Sequence, residues 1–181
     1  MIRIIIAVLL LSVPNSTNFN LYGNIDEETV LPIAVALDEI TSGTVTININ
    51  SPGGSVSDGY KLILAIEAAQ SRGVVVICRG EDLVASMAYS IFQACNQRLG
   101  SNNTRFVIHN LWVVLNFPLR PEEVVSIGKN LVEENDRLLS YQIRRSALTL
   151  DFVKSIIGNG SGTFEPDCQI SLKLGLLDRC D

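Results

Sequence analysis

Histidine is almost missing from this sequence: His109 is the only one. The four cysteines, Cys78, Cys95, Cys168 and Cys180, form no C-x-x-C pair and no cluster with that histidine. This spacing argues against a zinc site, and no metal or other cofactor is expected. Positive charge is also short, with 14 Lys and Arg against 19 Asp and Glu and a formal net charge of −5. A balance of that sign leaves no basic footprint for nucleic acid. No apolar run reaches the roughly 20 residues that a membrane-spanning helix needs. The chain also lacks internal repeats, low-complexity tracts and any clear linker.

What is present suits one folded unit. At 181 residues the chain is long enough to bury a sizeable core, and 47% apolar content fits a buried α/β sheet. Arg3 precedes an apolar run from Ile4 to Val13, which Pro14-Asn15-Ser16-Thr17 breaks. Residues 1–16 thus have the outline of a short secretory signal peptide, although no A-x-A-type cleavage site follows. They read otherwise as a hydrophobic terminal strand, or as residues preceding the true start. The folded domain is expected over 17–181. Export would permit disulfides, whose pairing the sequence does not assign, and localisation stays open between exported and cytoplasmic. Cys78 also fits as a small core hydrophobe.

Along the chain, Phe19 and Leu21 predict a short strand ending at Gly23. A helix then follows Asp26-Glu27-Glu28, with Val30, Ile33, Ala34, Leu37 and Ile40 at helical spacing. Pro32 must lie in its first turn or kink it. Thr44–Asn50 alternates as a strand and leads through Ser51-Pro52-Gly53-Gly54-Ser55 into a helix over Asp58–Arg72. Val74–Cys78 reads as a buried strand, and Ser86–Cys95 as an amphipathic helix. This β-turn-α-β order implies parallel strands with right-handed crossovers, hence an α/β fold. Asn96–Thr104 reads as a turn, and Arg105–Ile108 as a strand with His109 at its carboxyl end. Pro121 to Arg145 predicts the longest helix, with an apolar stripe of Val124, Ile127, Leu131, Leu138 and Tyr141. A stripe of that length suggests packing on a neighbouring subunit. A helix over Leu150–Ile157, a flexible loop over Gly158–Gly162 and a short apolar helix or strand over Cys168–Leu177 complete the chain.

Three features converge on chemistry. Gly53-Gly54 follows one strand, Ser86 opens the helix after the next, and His109 ends another. Ligands of open α/β sheets collect at the carboxyl ends of parallel strands, where all three would sit. Taken alone, Ser86 is most simply an N-cap and His109 a structural histidine. Taken together, they are the parts of acyl transfer: a hydroxyl nucleophile, an imidazole to take its proton, and backbone N–H donors for the oxyanion.

The stretches Asn50-Ser51-Pro52-Gly53-Gly54-Ser55-Val56, Ala85-Ser86-Met87-Ala88 and Ile108-His109 resemble the Clp protease proteolytic subunit family, as does the closing Leu174-Gly175-Leu176-Leu177-Asp178. The resemblance implies a crotonase-like α/β fold, with the helix from Pro121 as a projecting handle between subunit rings. It implies a serine endopeptidase with Ser86 as nucleophile, His109 as general base, and the Gly53 and Met87 N–H groups as oxyanion hole. Expected partners are peptide or unfolded protein substrates, further copies of the chain in a ring assembly, and an ATP-dependent unfoldase if the protein is cytoplasmic.

The family's third catalytic residue is an aspartate, and its place falls near Thr163, which is not a carboxylate. Glu165 and Asp167 are the nearest substitutes; Asp151 reads as first-turn charge of its helix. Glu81-Asp82 look like an insertion ahead of Ser86, and the residues after His109 depart from the family's usual glutamine-proline. Two alternatives follow: a catalytically impaired scaffold or regulatory subunit, and an extracytoplasmic Ser–Lys enzyme of the signal-peptide-peptidase kind. Lys61 and Lys129, however, both read as solvated helix positions.

Overall fold

The structure, a computed structural model, describes residues 16–158 and 161–181. The signal-peptide reading lies outside the described residues except for Ser16, as do residues 159 and 160 of the loop. In chain order the elements are β1 (Ser16–Ile25), α1 (Glu27–Glu39), β2 (Thr44–Gly54), α2 (Val56–Ser71), β3 (Val75–Ala85), α3 (Met87–Ala94), β4 (Gln97–Gly100) and β5 (Arg105–His109). They continue with α4 (Pro121–Ile143), α5 (Leu150–Ile157), β6 (Thr163–Phe164), α6 (Cys168–Leu174) and β7 (Arg179–Cys180). The α/β expectation holds, with a mainly parallel sheet.

The sheet runs β1-β2-β3-β4-β7, every pair parallel, and β3 is its branching strand. Its first half, Ile77–Arg79, pairs with β4, and its second half, Leu83–Ala85, pairs with β5. One long strand therefore carries two neighbours on one edge. Strict alternation in Thr44–Ile49 puts Val45, Ile47 and Ile49 fully in the core. Leu37, Leu62 and Ile66 of α1 and α2 belong to the same cluster.

Local chemistry fixes the helix starts. Asp26 and Thr29 form a reciprocal capping box at α1, Ser55 accepts from the Asp58 N–H at α2, and Thr149 accepts from Phe152 at α5. Pro32 lies inside α1 beyond its first turn. Ser51–Gly54, which reads in the sequence as a turn, is the extended end of β2. Residues 79–85 likewise extend β3 past Cys78, and Glu81-Asp82 are absorbed where the β2–β3 register shifts between Ile49 and Ser51. Both extensions occur because the neighbouring strands supply ladder partners, which periodicity alone does not reveal. Gln97–Gly100, read in the sequence as part of a turn, is a strand for the same reason, paired between β3 and β7.

α4 is buried only at its C-terminal end, through Leu138, Leu139, Gln142 and Ile143. Its earlier turns leave Val124, Val125 and Val132 more than half exposed. Disulfides join Cys78 of β3 to Cys95 at the end of α3, and Cys168 of α6 to Cys180 of β7. Cys78 is thus a core residue that is also cross-linked. At the chain's end, buried Arg98 binds Asp178 through Nε and Nη2 (2.9 and 2.8 Å) and the Gln93 side chain (2.7 Å), fastening the C-terminal segment behind α3. Among the described residues, no helix is long and apolar enough to cross a membrane.

Candidate active site

Ser86 occupies the single residue between β3 and α3. Its backbone has φ 55° and ψ −125°, and it is the only non-glycine with positive φ among the described residues. Such a conformation costs an L-residue about 1–3 kcal/mol and persists only where surrounding structure imposes it. The imposing contacts are visible: the Ser86 N–H donates to the Val107 carbonyl of β5 (3.0 Å), and the Ser86 carbonyl opens the bonds of α3. Gln142 of α4 adds a third, donating from Nε2 to the same carbonyl (2.9 Å). The hydroxyl makes no capping bond. Ser86 therefore stands at a cap position without doing a cap's work, and a sharp strand-to-helix turn is the way a nucleophile is presented on an α/β sheet.

Gly53 lies directly against this turn. A Cβ built on it would stand 2.6 Å from Ser86 Cβ and 3.0 Å from the Met87 N, so only glycine fits, and its φ of 98° requires glycine independently. The backbones of Gly53 and Met87 are thereby brought together beside Ser86. The Met87 N–H belongs to the first turn of α3, where helical N–H groups lack intrahelical partners. The Gly53 N–H donates to buried Ser51 Oγ at 3.1 Å. Met87's side chain is buried and packs into space left by Gly59 of α2.

His109 ends β5 and lines the same cleft as Ser86, Gly53 and Met87, a cavity of about 350 Å³. No Ser86–His109 hydrogen bond is formed among the described residues. Its Nδ1 lies 2.6 Å from the carbonyl oxygen of Asn110. A carbonyl only accepts, so Nδ1 carries the proton and Nε2 is left as the basic nitrogen. The residue that supplies the carbonyl is itself held: the Asn110 side chain donates to the Gly158 carbonyl (2.8 Å) and accepts from Asn135 Nδ2 (3.1 Å). Asn135 Oδ1 in turn accepts from the Leu111 N–H (2.6 Å).

The acidic candidates are engaged elsewhere. Thr163 pairs with His109 across the antiparallel β5–β6 register. Its hydroxyl donates to Glu165 Oε1 (2.9 Å), and Glu165 Oε2 accepts from Arg105 (3.0 Å). The Arg105 bond, with help from Thr163, holds the Glu165 carboxyl below the usual carboxylate range. Asp167 caps α6, accepting from the Ile170 N–H at 2.7 Å. Asp151 sits in the first turn of α5, as its position in the sequence implies. Neither Glu165 nor Asp167 is bonded to His109.

The sequence motifs therefore name the residues that line the cleft, and they miss those that hold them. Asn110 and Asn135 carry no motif, and Gln142 sits in an ordinary helical stretch. Only their bonds, and for Gln142 its burial, distinguish them. The arrangement places a hydroxyl, a basic imidazole nitrogen and backbone N–H groups around one cleft, the parts needed to attack a carbonyl carbon and bind its oxygen.

Comparison with known proteins adds one finding. The family model described as Clp protease matches residues 14–153. No curated protein matches the chain. The matched residues take in Gly53, Ser86 and His109 and stop ahead of β6 and α6.

Proposed function

The chain belongs to the Clp protease family, and from that premise we propose that it is a serine endopeptidase in which Ser86 attacks the peptide carbonyl and His109 takes the serine proton. The observation that carries this reading is the strained, uncapped Ser86, held in a cleft that His109 also lines. With the Nδ1 proton donated to the Asn110 carbonyl, His109 Nε2 is left to act as general base, then to return the serine proton to the leaving amine. The oxyanion is received by the N–H groups of Met87 and Gly53, the latter shared with Ser51 Oγ. Water, activated by the same imidazole, releases the acyl group.

Assembly is part of the proposal. The valines of α4 and Trp112, Val114 and Phe117 that precede it are each more than half exposed, apolar side chains that contact with further copies of the chain would cover. The substrates are peptides or unfolded chains. Two disulfides favour folding in an oxidising compartment, where the enzyme would act without an ATP-driven unfoldase.

One observation favours a second reading, that of a scaffold with little turnover: among the described residues, no carboxylate is bonded to His109. A Ser–Lys mechanism finds less support, because Lys61 is paired with Asp58 at 2.8 Å on the surface of α2 and Lys129 is exposed. Peptidase assays of the assembled protein and of Ser86→Ala and His109→Ala separate these readings. Cleavage lost in both variants supports the proposal. Normal assembly without cleavage supports the scaffold, and cleavage indifferent to His109→Ala sinks the histidine mechanism.

A further inference from the structure

Gln142 stands on the buried end of α4 and is 3% exposed. Its Nε2 donates to the Ser86 carbonyl at 2.9 Å and to Ser90 Oγ at 3.0 Å. Because a carbonyl cannot donate, this contact fixes which end of the amide is nitrogen. Both N–H bonds are then used, and the other end, Oε1, is buried with no hydrogen-bond partner. Gln142 forms part of the wall of the cleft that contains Ser86, alongside the apolar Val56, Met87 and Leu138.

We propose that this part of the cleft receives the substrate side chain preceding the scissile bond, and that Gln142 Oε1 selects a neutral side chain bearing an N–H or O–H donor. The proposal rests on the serine peptidase reading and adds its substrate class. A buried amide oxygen without a partner is unfavourable, and an apolar side chain pressed into the pocket leaves it so. A side chain with a donor at its tip supplies the missing bond. A cation gains less, since it would leave water for apolar walls and a single uncharged acceptor. Sites built to hydrogen-bond a substrate group reject the shape-matched analogue lacking it far more strongly than apolar pockets reject a missing methylene. Oε1 is closed off by its surroundings, so the incoming side chain must displace part of the wall.

The test uses fluorogenic peptides that differ only in the side chain preceding the scissile bond, in the shape-matched pairs asparagine and leucine, glutamine and methionine, and tyrosine and phenylalanine. With the assembled wild-type protein, the donor-bearing member of at least one pair is expected to show kcat/KM about tenfold higher or more. Gln142→Met is expected to bring that ratio to one or below, a change that a purely structural role would not produce. Ratios at or below one in every pair overturn the proposal, as does a ratio that Gln142→Met leaves unaltered. Should that variant fail to fold, the wild-type ratios decide alone. A fluorophosphonate without a peptide side chain, applied to the wild-type protein, separates the two levels of failure. Labelled Ser86 with flat ratios sinks the pocket assignment and spares the peptidase reading; unlabelled Ser86 with no cleavage sinks both.

Discussion

The two halves of the cleft are built from different materials. On the side of the proposed nucleophile, Gly53, Ser86 and Met87 are set by β2, β3 and α3, where Ser51, Val84, Ala85 and Ala88 are buried and backbone contacts dictate each position. On the side of the proposed base, His109 faces a two-residue strand, β6, whose exposed Thr163 bonds the exposed Glu165 just beyond it, which in turn pairs with Arg105. The first half tolerates no change because its geometry is made of main chain in close contact. The second depends on side chains that exchange with solvent, and a backbone carbonyl orients the imidazole instead of a carboxylate. A carbonyl fixes the tautomer but brings no full negative charge to stabilise the imidazolium that forms during proton transfer. The expected consequence is a fully constructed nucleophile paired with an under-supported base.

The most severe way to break the contrast is to remove the proposed nucleophile: Ser86→Ala should lower kcat by on the order of 10⁵, measured with peptide substrates. Gly53→Ala should come next. Its methyl group would strike Ser86 and the Met87 N–H, and its φ of 98° disfavours any side chain. Misplacing one oxyanion donor costs about 10² to 10³ in kcat, which steady-state kinetics on a folded variant would show.

Asp178→Asn probes the support behind α3 rather than the cleft. Burial raises the Asp178 pKa, but its hydrogen bonds to Arg98 outweigh this and leave the carboxyl below its usual value. A group whose folded pKa is depressed stabilises the protein above its unfolded pKa of about 4 and loses that contribution as pH falls through the folded value. The substitution leaves the buried Arg98 charge without its carboxylate. Asp178 is partly exposed, so the loss should be about 2 kcal/mol near neutral pH, less than for a fully buried pair. Denaturant titration should also show the difference between wild type and variant shrinking below about pH 4.

Thr163→Asp sharpens the contrast from the other side. It places a carboxylate in the cross-strand position opposite His109, where side chains share a face. We expect kcat to rise about tenfold, less than the full worth of a triad carboxylate because the Asn110 carbonyl already sets the tautomer. Glu165→Gln should change kcat by less than about twofold, since that carboxylate serves an exposed ion pair with Arg105. A larger loss would mean that the charge reaches His109 through Thr163.

The same division explains what can be read from the sequence. The parallel α/β order, most helices and the convergence of Gly53, Ser86 and His109 are legible there, because apolar periodicity and a Gly-Gly after a strand report local requirements. The branching of β3 is not, since Arg79–Ala85 and Gln97–Gly100 become strands only through distant partners. Glu165 looks like a replacement carboxylate by its spacing, yet nothing in that spacing reveals the competing claim of Arg105, 60 residues away. Asn110 is silent for a related reason: its carbonyl does the orienting, and every residue has one.

The most direct test follows the rate of Ser86 modification by a fluorophosphonate, located by mass spectrometry, in the assembled wild-type protein and in Thr163→Asp. A complete nucleophile beside an under-supported base predicts modification at Ser86 in both, about tenfold faster in Thr163→Asp. Modification of wild type at another residue, its absence at Ser86 in both proteins, or equal rates in the two would contradict it.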